Sequence, residues 1–476
     1  MLLGIDIGTS STKVILVNNA LEVISTKRKE YTIEIPNLNY AEQDPNTWWN
    51  SVCECIKAIP NKDCISAIGL SGQMHGIVAI NRDGNPIRQA IIWSDNRSVE
   101  QTKKIQVINS DPTNFIANGF LLPSLLWIRE NEPNLFKQIY KVMLPKDYIR
   151  YKLTGLIGTD HSDACATGAY SFERKDWNDE LIEKLGLNVS IFPEINQSMD
   201  VAGMIVSDIA KELDLGGSTV VVYGGSDHSM QLIGNGIFSE GMINCNIGTG
   251  SQISITTNDF EYEVSKQLNI FSHAIENKYN MVGTSLNGGI VLQWLNNLYD
   301  RDISYEQMDL FAQKVNVGSD GLRFLPYING ERNLDQDKNI RGICYGLSTH
   351  HSKQHLFRAA MEGMILSLRI KLEEIWALGL SFNRVIASGG GAKSSLLLQM
   401  QADIFNSEIY VCKTEEQAAL GAAIIAGLAT SVIDSLQTVL RLFEDKMVVV
   451  ASPIIQNVEL YNEVYQDFIN LKNKLL

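Results

Sequence analysis

The chain has no long apolar run. Across its 476 residues nothing approaches the about 20 uninterrupted apolar residues of a membrane span, so no membrane partner is expected. Cations are outnumbered, with 40 Lys and Arg against 54 Asp and Glu and a net charge of −14. That balance argues against a nucleic-acid partner, which needs clustered Lys and Arg against its phosphates. Cysteine is sparse: the seven residues Cys53, Cys55, Cys64, Cys165, Cys245, Cys344 and Cys412 are odd in number and contain no CxxC pair. Neither a zinc site nor a disulfide framework is suggested, and buried thiols in a reducing cytoplasm are the expectation. Also missing are a low-complexity linker and a GxxxxGK[ST] phosphate loop, and no leader is expected, since "MLLGIDIGTSSTK" runs straight into structure.

What is present is a repeat. A chain of this length exceeds one ordinary core, so two or more domains are expected; 45% apolar and 20% charged residues describe a globular protein. "LGIDIGTSSTKVILVN" at 3–18 and "GMINCNIGTGSQISIT" at 241–256 share one layout, strand, polar turn, strand, with Ile-Gly-Thr at 7–9 and 247–249. The spacing predicts two halves, 1–240 and 241–476, each opening on a hairpin. In the first, a third strand is expected at 21–27, a helix capped by Asp44 with Pro45 at its first position, and a strand at 65–72. In the second, strands are expected at 279–285, 384–391 and 409–412, with helices from about 287, near 304, from Ser352, through about 405 and at 415–429. Alternating strands and helices indicate α/β layers with a largely parallel sheet, and a cleft between two such domains is the expected ligand site.

Three glycine turns and one carboxylate carry the candidate chemistry. Glycine lets backbone N–H groups close on an anion. In the first turn Asp6 could hold Mg²⁺, largely through water, and Thr9 and Ser10 could bond phosphate oxygens. The second turn has Asn246 in place of that acid, as suits a neutral phosphate cradle. The third, "SGGGAKSSLLLQMQADI" at 388–404, could seat a purine or a phosphate on bare backbone. An ordinary hairpin turn explains any one of these alone; the matched pair argues for more. Asp227, in "VVVYGGSDHSMQLIGNG" (220–236), sits where a strand runs into a helix and suits either a helix cap or a catalytic acid.

Together these segments resemble the FGGY carbohydrate kinases, and within them the xylulokinase-like members. The residues that carry the likeness are "GIDIGTSSTK" (4–13), "EQDPNTWW" (42–49), "SGQMHG" (71–76), "IIWSDNR" (91–97), "LPKDYIRYKLTG" (144–155), "GGSD" (224–227), "IGTGS" (247–251), "FLPYINGER" (324–332), "GLSTHHSKQHLFRAAMEG" (346–363) and "ASGGGAKSSLLLQMQADI" (387–404). The resemblance implies two ribonuclease-H-like domains of the actin-like ATPase type with the active site in their cleft. It implies ATP with Mg²⁺, and transfer of the γ-phosphoryl group to a hydroxyl of a small ketose, D-xylulose before others. Asp227 matches the general base, although a helix N-terminus would lower its basicity. Gln73, Met74, His75, Trp93, Asp95 and His228 match or adjoin the sugar side; Trp93 could equally be core, and Asp95 could pair structurally with Arg97. Asp6, Thr9, Ser10 and Lys13 match the first phosphate motif, Gly248 and Thr249 the second, and Gly389, Gly390 and Gly391 the adenosine motif; Lys13 could also be a solvated strand residue. The family often forms homodimers, but no patch here marks an interface.

The sequence departs from the family pattern at three places. Ser226-Asp227-His228 replaces Gly-Asp-Asn, Asn333 and Leu334 replace Thr and Pro, and Ser124 stands where Lys is usual. These bear on which ketose is taken. Rival readings are a kinase for ribulose, tagatose, fructose or a polyol, an actin-like ATP-driven clamp, and a silent sugar-binding homologue.

Overall fold

The computed structural model describes residues 1–109, 111, 113–260, 268–299, 303–331 and 340–475. They form two compact units, Met1–Phe238 with Ile270–Tyr279 and Thr414–Glu444, and Ser239–Asn269 with Asn280–Lys413 and Asp445–Leu476. A simple cut at 240 therefore does not describe the chain, because two later segments return to the first unit.

The first unit is built on strands β1 (Leu2–Ile7), β2 (Ser11–Val17), β3 (Val23–Glu30), β4 (Ala67–Gly72), β5 (Val201–Met204), β6 (Val220–Val222) and β7 (Gly225–Ser226). Their order is β3-β2-β1-β4-β6-β5, with β7 beside the end of β4. The hairpin β1–β2 is antiparallel, β4 joins β1 in parallel, β6 joins β4 in parallel, and β5 closes the edge antiparallel. All six residues of β1 are buried, as a central strand covered on both faces requires. The other edge, β3, carries Lys27, Arg28, Lys29 and Glu30, charges that deter pairing with another chain. The helix Pro45–Lys57 starts as its sequence predicts, with Asp44 accepting the N–H of Asn46 at 2.9 Å.

The second unit repeats the plan. Strands β8 (Met242–Ile247), β9 (Ser251–Thr257), β10 (Tyr279–Ser285), β11 (Arg384–Ser388), β12 (Ile409–Cys412) and β13 (Met447–Ala451) run in the order β10-β9-β8-β11-β12-β13. Again the opening hairpin is antiparallel, the next two strands join in parallel, and the last closes antiparallel. The long helix Lys353–Ala377 is capped by Ser352 and the helix Tyr305–Ala312 by Ser304. Among the described residues, no helix is long and apolar enough to cross a membrane. Five cysteines are buried as expected; Cys64 is exposed and Cys344 half-buried, and all seven are free thiols. Cys64 differs because it ends the short 3₁₀ turn Lys62–Cys64 rather than lying inside a strand.

The return of 414–444 to the first unit rests on close backbone contact. Gly4 and Gly69 face each other in the β1–β4 register. A Cβ on Gly4 would lie 1.9 Å from the carbonyl oxygen of Ala419, and one on Gly69 1.8 Å from that of Ala422. The helix Gln417–Ala429 thus rests on bare sheet backbone. It crosses the helix Asp227–Gly234 in the same manner, Gly234 against the carbonyl of Gln417 and Gly421 against that of Met230, each 1.9 Å from a would-be Cβ. Such contact admits no added methyl without backbone movement. Gly69→Ala is expected to lower the melting temperature by several degrees, whereas Gly217→Ala, with nothing within 4 Å, leaves it within a degree or so of the parent. A thermal scan in which Gly69→Ala melts with the parent would contradict this packing.

Candidate active site

The first glycine turn is clamped from behind. The Gly8 carbonyl accepts from the Tyr31 hydroxyl at 2.6 Å, the Thr9 carbonyl from Gln43 Nε2 at 2.7 Å, and the Ser10 carbonyl from the Tyr31 N–H at 3.1 Å. Trp93 Nε1 donates to Thr9 Oγ1 at 2.9 Å. Among the described residues the N–H groups of Thr9 and Ser10 have no partner. Carbonyls held inward and N–H groups left outward make an anion-binding concavity.

Asp6, at the end of β1, lies in register with Ser71 of β4 and accepts its hydroxyl at 2.8 Å. Burial raises its pKa above the ordinary carboxylate value; the Ser71 bond and Lys13 oppose this, and Glu416 adds to it. Lys13 pairs with Glu416 at 2.5 Å, so it is a partnered group rather than a solvated strand residue. Glu416 takes a left-handed backbone, φ 51°, just before the helix Gln417–Ala429.

Asp227 is not the cap of its helix. Ser226 is, its hydroxyl accepting the Ser229 N–H at 3.4 Å, and Asp227 is the first helical residue. Its Oδ1 accepts the N–H of His228 at 2.8 Å. The expected loss of basicity at a helix N-terminus is overturned: burial, then the charge of Asp6, pushes Asp227 up to about 7, against the lowering effect of that N–H. His228 is pulled down to about 4 by burial, so an uncharged imidazole stands next to the carboxylate.

The expected sugar-side residues separate into two groups. Met74 is buried at the end of the segment that follows β4. His75 is half-buried with φ 74°, an uncommon backbone for a residue with a Cβ. Its Nδ1 bonds the carbonyl of Ala166 at 2.7 Å, and its ring stacks on Phe120 with centroids 3.9 Å apart. A donating Nδ1 makes Nε2 the acceptor. Trp93 is exposed and bound to the Thr9 turn, so it is not core. Gln73 and Asp95 bond within the fold. Gln73 is 1% exposed and donates to Gln43, the residue that holds the Thr9 carbonyl. Asp95 is fully buried and accepts the N–H of Ala41 at 2.7 Å and Arg97 Nε at 2.9 Å. Arg97 in turn reaches Glu42 at 2.6 Å and lies 3.8 Å from the Tyr40 ring centroid. No oxygen of Asp95 is left to face a ligand.

In the second unit the two remaining turns meet. The carbonyl of Gly248 accepts from Gly289 N at 2.8 Å and that of Thr249 from Gly288 N at 3.1 Å, while the N–H groups of Thr249 and Gly250 have no partner among the described residues. This is the pattern of the first turn. Gly389 has φ 74°, and a Cβ there would lie 2.5 Å from Asn246 Oδ1 and 2.7 Å from the Ile247 carbonyl. Gly389 and Gly390 are exposed and Gly391 is buried, so the triple glycine presents bare backbone beside the second turn.

Of the departures from the family pattern, Asn333 and Leu334 lie outside the described residues. Ser124 is fully buried in the helix Leu121–Asn131, its hydroxyl unpartnered. Ser226 supplies a cap that glycine lacks. Sequence reasoning missed Ser71, Gln43, Tyr31 and Glu416. Only Ser71 had a signal, since parallel pairing of β1 with "AIGLSG" brings it opposite Asp6.

The chain matches the FGGY family of carbohydrate kinases, N-terminal domain, over residues 1–234 and C-terminal domain over 243–430. It belongs to that family. It is 34% identical to the xylulose kinase of Bacillus subtilis, over 98% of this chain and 96% of that one. The xylulose kinase of Staphylococcus xylosus is 36% identical over 90% of each. Among solved structures, the ligand-bound xylulose kinase of Lactobacillus acidophilus superposes with a TM-score of 0.93 at 27% identity, covering 99% of this chain and 98% of that one. The fold is thus that of the actin-like ATPases, and the activity class is ATP-dependent phosphorylation of a carbohydrate.

His273, in the segment packed near His228, bears on acid stability. It is 3% exposed, its Nδ1 accepts the N–H of Ile275 at 2.9 Å, and burial pulls it down to about 3. A base depressed below its ordinary value near 6.5 stabilises the fold above that pH and loses this as pH falls towards the folded value. The loss from His273 is about 2 kcal/mol at pH 5. His273→Asn keeps an acceptor for Ile275 and does not titrate. Its melting temperature is expected to fall less than the parent's between pH 7 and pH 5; parallel curves would remove His273 from the account.

Proposed function

We propose that this enzyme phosphorylates D-xylulose at its 5-hydroxyl, with Asp227 as the general base. The observation that carries this is the setting of Asp227: a carboxylate at the start of its helix, relieved of capping by Ser226, partly exposed, and raised above the ordinary carboxylate value chiefly by burial. A base of that strength is matched to neutral pH. Asp227 takes the proton of the sugar hydroxyl as its oxygen forms a bond to the γ-phosphorus of ATP and the bond to the β-phosphate oxygen breaks, leaving sugar phosphate and ADP. His75, Met74 and Trp93 shape the sugar end. In the first unit the N–H groups of Thr9 and Ser10 suit phosphate oxygens; in the second, taken by itself, the N–H groups of Thr249 and Gly250 and the 389–391 backbone suit parts of a nucleotide.

Mg²⁺ fits this donor set. Asp6, raised chiefly by burial and further by Glu416, has Asp227 close enough to feel its charge and Lys13 as a nearby cation. Among the described residues no group of three or more ligating side chains forms a metal cage, as suits an ion that keeps much of its water and binds mainly through phosphates. Bound there, it would neutralise phosphate charge as the bond to ADP breaks. We place the reaction in the cytoplasm, where ATP is supplied.

ADP release with Mg-ATP should be fastest with D-xylulose in a panel with L-xylulose, D- and L-ribulose, D-fructose, D-tagatose, D-gluconate and glycerol. Another preferred sugar would move the specificity question to His228 and Ser124. Asp227→Asn should keep nucleotide binding and lower kcat at least ~100-fold; turnover near the parent's would exclude it as the base.

A further inference from the structure

Behind Asp227 lies a buried ionic cluster that neither the phosphate turns nor the sugar-side residues use. Lys146, fully buried in the helix Pro145–Thr154, has its Nζ 2.7 Å from Asp147 Oδ1, 2.9 Å from Asp160 Oδ1 and 3.1 Å from Asp163 Oδ2. Burial and the neighbouring carboxylates keep Asp163 well above the usual carboxylate range, while Lys146 and two serines hold Asp160 below it despite its burial. Taking this many charged groups out of water is costly and seldom stabilises more than a packed apolar core would. Its geometry points to another use.

Asp160 Oδ2 accepts the hydroxyls of Ser162 and Ser198, each at 2.6 Å. With its proton committed to Asp160, Ser162 Oγ turns a lone pair to the backbone N–H of Ser226, 3.0 Å away. Ser226 is the residue before Asp227. The approach is close enough that a Cβ on Gly225 would lie 2.7 Å from Ser162 Oγ. The same cluster backs β4, where a Cβ on Gly72 would lie 2.9 Å from that of Lys146, and β4 carries Ser71, the partner of Asp6. Among the described residues the hydrogen bond shown for the Asp227 carboxylate is within its own helix, from the N–H of His228. The placing of its carboxylate therefore depends on the 225–227 peptides.

We propose that Ser162 is a positioning residue for Asp227, with Asp160 and Lys146 as its fixed anchor. This rests on the reading of Asp227 as the base. Without the Ser162 hydroxyl, the Ser226 N–H loses its partner and the start of the helix can tilt, and displacement of a catalytic group by about 1 Å lowers turnover on the order of 100-fold.

The test is a double-mutant cycle between Ser162→Ala and Asp227→Asn, with kcat, the KM for ATP and melting temperature measured for all four proteins. Ser162→Ala is expected to lower kcat ~10- to 100-fold with the KM for ATP changed less than ~3-fold. In the Asp227→Asn background it should lower the residual rate by less than ~3-fold, because the group it positions is gone. An equal loss in both backgrounds, or a Ser162→Ala kcat within ~3-fold of the parent, overturns the proposal. Should Asp227→Asn alone keep the parent's turnover, the reading of Asp227 fails first, and the single-mutant data show that separately. If Ser162→Ala does not fold, Ser162→Cys, which fills the site with a poor hydrogen-bond acceptor, carries the same expectations.

Discussion

The contact on which the first unit depends is between bare backbones. Packed layers of secondary structure are normally separated by side chains, stacked sheets by about 10 Å. Here Gly4 and Gly69 remove the side chains from the sheet, and the Gln417–Ala429 helix settles with its carbonyls against their Cα atoms. Gly234 and Gly421 do the same between two helices. Because Asp6 stands two residues beyond Gly4 on β1, and Asp227 begins the helix that ends at Gly234, both acids sit on elements fixed by this one helix. Glu416, which precedes it, is carried to Lys13 by the same packing.

The plan of the fold was legible because each half states it locally. A hairpin with Ile-Gly-Thr at its turn, a strand that returns in parallel, and capped helices at Asp44, Ser304 and Ser352 are short-range signals, and the strands and helices appear within a few residues of where those signals put them. The return of 414–444 to the first unit was not legible. Its cause is a match between glycines hundreds of residues apart, and a helix rich in Ala and Gly shows no face that names its partner. Strand β3 runs later than expected, to Glu30, because pairing with β2 overrides the low strand propensity of its lysines.

The candidate residues divide by the same logic. Glycine turns and a lone carboxylate at a strand end are readable, since few other residue types leave N–H groups open or place an acid there. What a side chain does once buried is not. Asp95 and Gln73 sit in segments that look functional, yet Asp95 is consumed by Arg97 and Ala41, and the Gln73 Nε2 is given to Gln43. Trp93 went the other way, out of the core and onto Thr9. Each outcome was decided by partners distant in sequence: Gln43 lies 30 residues from Gln73, and Ala41 lies 54 from Asp95.

Asp227 shows why a local rule gave the wrong sign. A carboxylate in the first turn of a helix gains from the dipole and from N–H groups, and both favour the charged form. Those effects act here, through the His228 N–H, but they compete with loss of water and with the charge of Asp6, and the latter two win. The replacement of glycine by Ser226 matters in this balance. Because Ser226 takes the Ser229 N–H, the capping duty falls on a neutral hydroxyl rather than on Asp227, and the carboxylate is spared a further donor that would have weakened it as a base. His228 adds no positive charge, since burial keeps it neutral. The residues on either side of the acid therefore leave Asp227 free of capping duty and set no positive charge beside it.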